Sequence, residues 1–387
     1  MKKIMALFLM LVLSLVACNQ KMEQQKEAQK IRQRGEIVEF GDSQLKERFL
    51  VKLKGQLNIE DEEILGIDTM LQNTLGVKNI PKNETEIRTK DFMAVRALNF
   101  YEDLSDTKWL NYLNNVNYVF FFNRTGKLSE EFVNKVLAEL PKDKLSEVYF
   151  HQVGYDPEAL SPFTELETLG VETEKFEFIS PKLPKLKSLF VQANVVEDLS
   201  GIQKIEKLDL LQLSGAKTGK RLEVDLAALP ENIESLNIRN ADLKNQEKLQ
   251  NMALNTLYLD NIPLKNSDLK YMNAWLNIHL SGNGITEIAG LPTDSHAVLL
   301  IENNDIRDWE QLKDHHLILD IIIRFTKAEK MQADFLQEHA AKLKELKNLQ
   351  KIAIFLEEAD PEKVKELEKE LKSALPKTEI TIINEND

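Results

Sequence analysis

Trp275-Leu-Asn-Ile278-His-Leu280-Ser-Gly-Asn283 and, 21 residues further on, His296-Ala-Val-Leu299-Leu-Ile301-Glu-Asn-Asn304 are two versions of one pattern. Leu254-Asn-Thr-Leu257-Tyr-Leu259 and Leu186-Lys-Ser-Leu189-Phe-Val191-Gln-Ala-Asn194 are two more. With the middle apolar position as a marker, the pattern recurs at Leu98, Val119, Val148, Leu169, Leu189, Leu208, Leu236, Leu257, Ile278, Leu299 and Leu319, with gaps of 21, 29, 21, 20, 19, 28, 21, 21, 21 and 20 residues. A strand this short cannot bury its apolar edge alone, so successive copies must stack and set their leucines in one interior column. The asparagine that closes the pattern is expected to turn inward and satisfy backbone groups of neighbouring copies. Only Asn194, Asn283 and Asn304 stand in that place; Asn240 and Asn261 come one residue early, so their copies need another kind of turn.

The pattern L-x-x-L-x-L-x-x-N is that of the leucine-rich repeat, and the spacing near 20–21 residues resembles internalin-type bacterial repeats. The resemblance implies an α/β solenoid, a horseshoe with a parallel sheet on its concave face and short 3₁₀ or extended turns on its convex side. Val38-Glu-Phe-Gly-Asp-Ser-Gln-Leu-Lys-Glu-Arg-Phe-Leu50 and the acidic Glu60-Asp-Glu-Glu-Ile-Leu65 resemble that family's N-terminal helical cap, here residues 38–86. Ile87-Arg-Thr-Lys-Asp-Phe92, leading to Ala97-Leu98-Asn-Phe100 and Asp103-Leu104, resembles the entry to the first coil, so the repeats are expected over residues 87–326.

The two long gaps are expected to hold helix-like inserts. Ser129-Glu-Glu-Phe-Val-Asn-Lys-Val-Leu-Ala-Glu-Leu140 has apolar residues at 132, 133, 136, 137 and 140 and ends at Pro141, the periodicity of an amphipathic helix. Over residues 327–387 the copies lengthen. Residues 328–346 and 361–375 read as amphipathic helices, each followed by a strand, 352–356 and 379–383. These resemble helix-bearing C-terminal repeats or a cap; a separate small α/β domain is the alternative.

The N-terminus begins Met1-Lys-Lys3, runs uncharged from Ile4 to Val16, and reaches Leu15-Val16-Ala17-Cys18. An apolar run of roughly a dozen residues is a signal length, short of the ~20 a membrane-spanning helix needs. Leu-Val-Ala-Cys resembles the lipobox of bacterial lipoproteins, which implies cleavage after residue 17 and acylation of Cys18. Cys18 is the sole cysteine, so no intramolecular disulfide can form, and its use as an anchor leaves no thiol for catalysis or zinc. Residues 18–37, polar and poor in apolar side chains, read as a tether.

Losing Lys2 and Lys3 with the leader moves the formal charge from −13 to −15. Such an acidic body argues against nucleic acid and against electrostatic attachment to anionic lipid; membrane attachment falls to the acyl chains. No G-x-x-x-x-G-K-[ST], G-x-G-x-x-G, G-x-S-x-G or H-E-x-x-H motif is present. Among the six histidines, adjacent His315 and His316 would point to opposite faces of a strand. No cofactor or metal is expected, and no enzymatic activity.

Side chains flanking each buried marker point away from the core. That projection puts Tyr118, Phe120, Phe122, Tyr149, His151, Phe190, Arg239, Tyr258, Asp260 and His279 on the concave face as candidates for partner binding. A register one residue different would bury Phe120 and Phe122 and expose Phe121 instead. The expected function is a lipid-anchored envelope protein, at the outer membrane or cell surface in a Gram-negative host, binding a protein partner in adhesion or host interaction. An enzyme or inhibitor acting on envelope polymers, or a structural component without ligand, are the alternatives.

Overall fold

The computed structural model describes residues 35–53, 85–92, 95–124, 126–178, 182–206, 208–216, 221–294, 297–302, 304, 306, 315, 317–324, 348–356 and 360–384. The expected leader, Cys18, most of the tether, the acidic segment at 60–65, the helix expected over 328–346, and His296, His316 and His339 lie outside these residues. The chain forms an α/β fold in two compact units, Met1–Glu147 and Val148–Asp387. Thirteen parallel strands following chain order divide between them, with few helices.

In the first unit, helix α1 (Ser43–Leu53) starts where the Asp42 carboxylate accepts from the backbone N–H of Gln44 at 2.8 Å and Leu45 at 3.1 Å. Its Phe49 meets Phe40, Phe92 and Trp109 in one aromatic cluster, the closest pair being Phe49 and Trp109 with ring centroids 4.6 Å apart. Phe92 closes the single turn α2 (Thr89–Phe92). Strands β1 (Ala97–Phe100) and β2 (Tyr118–Phe122) pair in parallel, Leu98 opposite Val119. Between β2 and the end of the unit runs α3 (Glu130–Glu139), with Phe132, Val133, Val136 and Leu137 buried as its periodicity requires. Ser129 caps it, accepting from the Phe132 N–H at 3.1 Å while donating its own hydroxyl to Asp103 at 2.6 Å.

The second unit contains β3 (Glu147–His151) from its second residue on, then β4 (Thr168–Glu177), β5 (Ser188–Asp198), β6 (Leu208–Gly215), β7 (Leu222–Asp225), β8 (Ile233–Arg239), β9 (Ala241–Lys244) and β10 (Thr256–Asp260). It continues with β11 (Asn277–Ser281), β12 (Val298–Glu302), β13 (Asp320–Arg324), β14 (Lys351–Leu356), helix α4 (Pro361–Ala374) and β15 (Glu379–Asn384). Leu169, Leu189, Leu211, Leu236, Leu257, Ile278, Leu299, Ile321, Ile352 and Ile380 stand opposite one another from strand to strand. The first nine are buried, and in most strands they alternate with half-exposed neighbours; beside Leu169, Ile278 and Ile352 the following residue, Gly170, His279 or Ala353, is buried as well. Parallel sheets are usually covered on both faces and read as continuous apolar runs; alternation here means one face is packed and the other is open. Short 3₁₀ turns such as Ser200–Lys204, Gln246–Asn251 and Asn266–Tyr271 lie in the connections.

Asparagines close part of this framework. Asn283 Oδ1 accepts from the Ile262 N–H at 2.9 Å, and its Nδ2 donates to the Leu259 carbonyl at 3.0 Å. One strand further on, Asn304 repeats the geometry: Oδ1 accepts from the Asn283 N–H at 2.9 Å and Nδ2 donates to the Leu280 carbonyl at 2.9 Å. Asn194 does not turn inward. β5 runs on through it to Asp198, so alternation leaves Ala193 buried and sends the Asn194 amide across the surface to Glu174. Asn240 and Asn261 instead adopt left-handed backbone (φ 50° and 52°), as do Gln152 (53°) and Gly282 (59°) at the equivalent place, one residue past the strand. Asparagine and glycine tolerate that conformation best.

Three further expectations are corrected. Leu208 and Leu319 are not middle positions; Leu211 and Ile321 are, because Leu208 fills the first apolar place of its pattern and Leu319 lies one residue past it. Trp275 is no anchor: it is 67% exposed, and Ala274 is buried beside it. Among its described residues the second long gap holds no α-helix; it contains β7, which pairs with β9 in a small two-stranded sheet, followed by one 3₁₀ turn at Leu226–Ala228. Arg221 ties this insert down, its guanidinium donating to Asp242 at 2.7 Å, the Ala241 carbonyl at 2.6 Å and the Asn261 carbonyl.

Because Asn283 satisfies a buried N–H and a buried C=O at once, Asn283→Ala should lower stability by about 2–4 kcal/mol. Asn194→Ala, on the surface, should stay within about 0.5 kcal/mol. Urea denaturation followed by circular dichroism separates the two; equal losses would mean that the inward asparagine does not hold the strands.

Candidate functional site

Strand alternation places every projected candidate on the open face. In the first unit, Tyr118, Phe120 and Phe122 are half-buried while Val119 and Phe121 are fully buried, so β2 has the expected register. The Phe120 and Phe122 rings lie 5.4 Å apart. In the second unit, Tyr149, His151, Phe190, Arg239, Tyr258 and Asp260 are half-buried on the open face of that unit's own sheet. His279 also belongs to it but is only 8% exposed.

Two clusters form in the second unit. In the first, the Tyr149 ring lies across β4 toward Phe190, with centroids 6.5 Å apart. Gly170 makes this possible: a Cβ there would stand 2.2 Å from Tyr149 Cδ1. One step along the strands, His151 Nδ1 is 2.6 Å from Glu172 Oε2, and Gln152 Nε2 donates to Glu172 Oε1 at 3.0 Å. An open groove of about 570 Å³ follows, lined by Gln152, Glu172, Thr173, Glu174, Gln192 and Asn194 among others.

The second cluster crosses six strands. Arg239 on β8 lies over the Tyr258 ring of β10, its Cζ 4.6 Å from the centroid, and is oriented by Asn237 Oδ1, which accepts from its Nε at 3.2 Å. Tyr258 meets the His279 ring of β11 edge to face at 3.9 Å. His279 Nε2 is 3.3 Å from Glu302 Oε2 on β12, an ion-pair distance without the alignment of a good hydrogen bond. Glu302 Oε1 is 3.5 Å from Arg324 Nε on β13, and the Arg324 guanidinium lies 4.6 Å from the centroid of Phe355 on β14. Such cation–ring contacts are worth about 0.5–2 kcal/mol each, rising as water is excluded.

The electrostatics follow from this packing. The polar contact with His279, and then Arg324, hold the Glu302 carboxyl below the usual carboxylate range against the opposing cost of its burial. Burial pushes the Tyr258 phenol above its ordinary value, opposed by the Arg239 cation. Both effects keep Tyr258 neutral and Glu302 charged near pH 7. Among the described residues no group of His, Cys, Asp and Glu is placed to hold a metal ion. No helix among them is long and apolar enough to cross a membrane.

Sequence projection stopped at His279 and missed Glu302, Arg324 and Phe355; carrying the same alternation through the next three strands would have found them. On β6 the projection picks the wrong face. The marker at Leu208 is three residues early, an odd shift that exchanges the two faces of β6. Gly170 gives no signal until Tyr149 is known to lie over it. A scan against protein-family models and a search of curated proteins return no match.

Glu302 binds its proton less readily folded than unfolded. Its contribution to stability is therefore present above its unfolded value near 4.3 and is lost as the pH falls through the lower folded value. Wild type should exceed Glu302→Gln in urea midpoint at pH 7, and the gap should close as the pH drops below about 4. A gap independent of pH would mean that the charge of Glu302 is not what the row holds.

Proposed function

We propose that the chain is a lipid-anchored, internalin-like leucine-rich repeat protein of the bacterial cell envelope that binds a protein partner through the open face of its parallel sheet. It acts as a binding protein and not as an enzyme. The cross-strand row from Arg239 to Phe355 carries this reading. Aromatic rings and arginines are the residue types that anchor protein interfaces, and here they are already packed against one another and held in place.

Several features support the solenoid reading. Strand order follows chain order, 3₁₀ turns lie in the connections, and Asn283 and Asn304 repeat one inward geometry. On this reading the open face is concave. The α1 helix with Phe40, Phe92 and Trp109 serves as the N-terminal cap, and β14, α4 and β15 are longer closing repeats. Support for the anchor comes from the sequence alone, in the charged start, the apolar run and Leu-Val-Ala-Cys ending at Cys18. The acyl chains hold the protein in the envelope, at the outer membrane or cell surface where two membranes are present, and residues 18–37 lift the folded part away.

Two experiments test these parts separately. Cells fed an alkyne-bearing palmitate should label the wild type and retain it in the membrane fraction, while Cys18→Ala should be unlabelled and cleared from membranes. A variant still held in the membrane would remove the anchor. For the face, a photo-crosslinking residue at position 258 or 324 should capture one dominant envelope or host protein. Affinity for that protein should fall at least about tenfold in Arg239→Ala with Tyr258→Ala and stay unchanged in Lys185→Ala. Equal affinity in all forms would put the interface elsewhere.

A further inference from the structure

We infer that the groove at the start of the second unit's sheet is a carbohydrate site, with Glu172, Gln192 and Asn194 in its hydrogen-bonding wall and the Tyr149 and Phe190 rings, one step along the strands from Glu172 and Gln192, as a stacking platform beside it. This site is separate from the Arg239–Phe355 row and does not depend on a protein partner binding there.

The geometry narrows the ligand by chemistry. Phe190, Gln192 and Asn194 are successive open-face residues of β5, and Gly170 and Glu172 stand beside the first two on β4. One strip therefore passes from aromatic to polar within two steps along the strand, about 7 Å each. The Tyr149 ring extends the aromatic end by lying over Gly170, where any side chain would displace it, its plane tilted 33° to that of Phe190. A glycine at that point gives the ring room to form a platform with Phe190 in place of standing upright between strands. The groove beyond, about 570 Å³, falls within the roughly 300–1,000 Å³ range of small-ligand sites.

An anion does not suit a wall carrying Glu172 and Glu174. A bare cation is not favoured either, because both carboxylates already accept from side chains of the protein: Glu172 from Gln152 with His151 beside it, Glu174 from Asn194. A purely apolar ligand would strand these groups without hydrogen bonds. Side-chain amides donate and accept at once, which matches hydroxyl groups, since these also do both. The ligand that offers a ring of hydroxyls along its edge and a carbon-hydrogen face for an aromatic platform is a pyranose sugar. A chain of two or three such units fits the groove and the platform together.

The test uses the purified full-length protein in a sugar-free detergent, with chitotriose, cellotriose and a trilysine peptide as probes. Saturation-transfer NMR should show at least one trisaccharide bound at millimolar concentration through the protons of one sugar face. Calorimetry should then show about tenfold weaker binding in Tyr149→Ala and in Gln192→Ala, both melting as the wild type does. Gly170→Val, which leaves every polar group in place and removes only the room for the ring, should give the same loss. Failure of both sugars to bind, affinity that survives Tyr149→Ala and Gln192→Ala, or binding of trilysine alone would each overturn the assignment. None of these results bears on the row at Arg239–Phe355, so the two readings fail independently.

Discussion

Register between neighbouring strands is the constraint on which the second unit depends. Each strand alternates its side chains between two faces, so one residue of slip would turn the buried column outward along its length. From Leu169 to Ile352 the column stays in step; Asn283, just past β11, bonds back to β10, and Asn304, just past β12, bonds back to β11. Everything on the open face inherits that register. Tyr258 meets His279, and Glu302 meets Arg324, because Leu257 stands opposite Ile278 and Leu299 opposite Ile321.

The open face meets a problem that parallel sheets usually avoid by covering both sides. Large rings exposed to water are costly, and scattered charges fix nothing. Here each offsets the other: Arg239 covers Tyr258, Tyr258 covers His279, and Arg324 covers Phe355. The guanidinium groups themselves lie over the ring faces, while their edges keep polar partners, Asn237 for Arg239 and Glu302 for Arg324. Side chains held in this way have already lost most of the freedom that a contact across this face would cost.

Much of this was legible in the sequence because one physical rule, the burial of a repeated apolar place, acts on many residues at once. The strands at Leu257, Ile278 and Leu299, the helix after Ser129 and the outward place of Phe120 in one unit and of Tyr149 in the other all follow from it. What stayed hidden depended on single choices. In the run Leu208-Asp-Leu-Leu-Gln-Leu213, several leucines compete to be the middle position, and spacing alone picks the wrong one. Asn194 has the right neighbours for an inward turn, yet β5 continues past it. Trp275 occupies a leucine place but is too large for it, and the smaller Ala274 goes inside. The contacts between candidates, such as Tyr149 over Gly170, belong to pairs about 20 residues apart and have no local signature.

The 21-residue step linking Leu257, Ile278 and Leu299 recurs in the step from Asn283 to Asn304. Packing and polar closure thus share one period in this stretch. Loss or duplication of one such unit in the gene would leave every neighbour with an equivalent partner, since Asn304 asks of Leu280 what Asn283 asks of Leu259. The length of the sheet can therefore change without a fresh solution to folding. The side chains on its open face are released by the same fact to vary unit by unit.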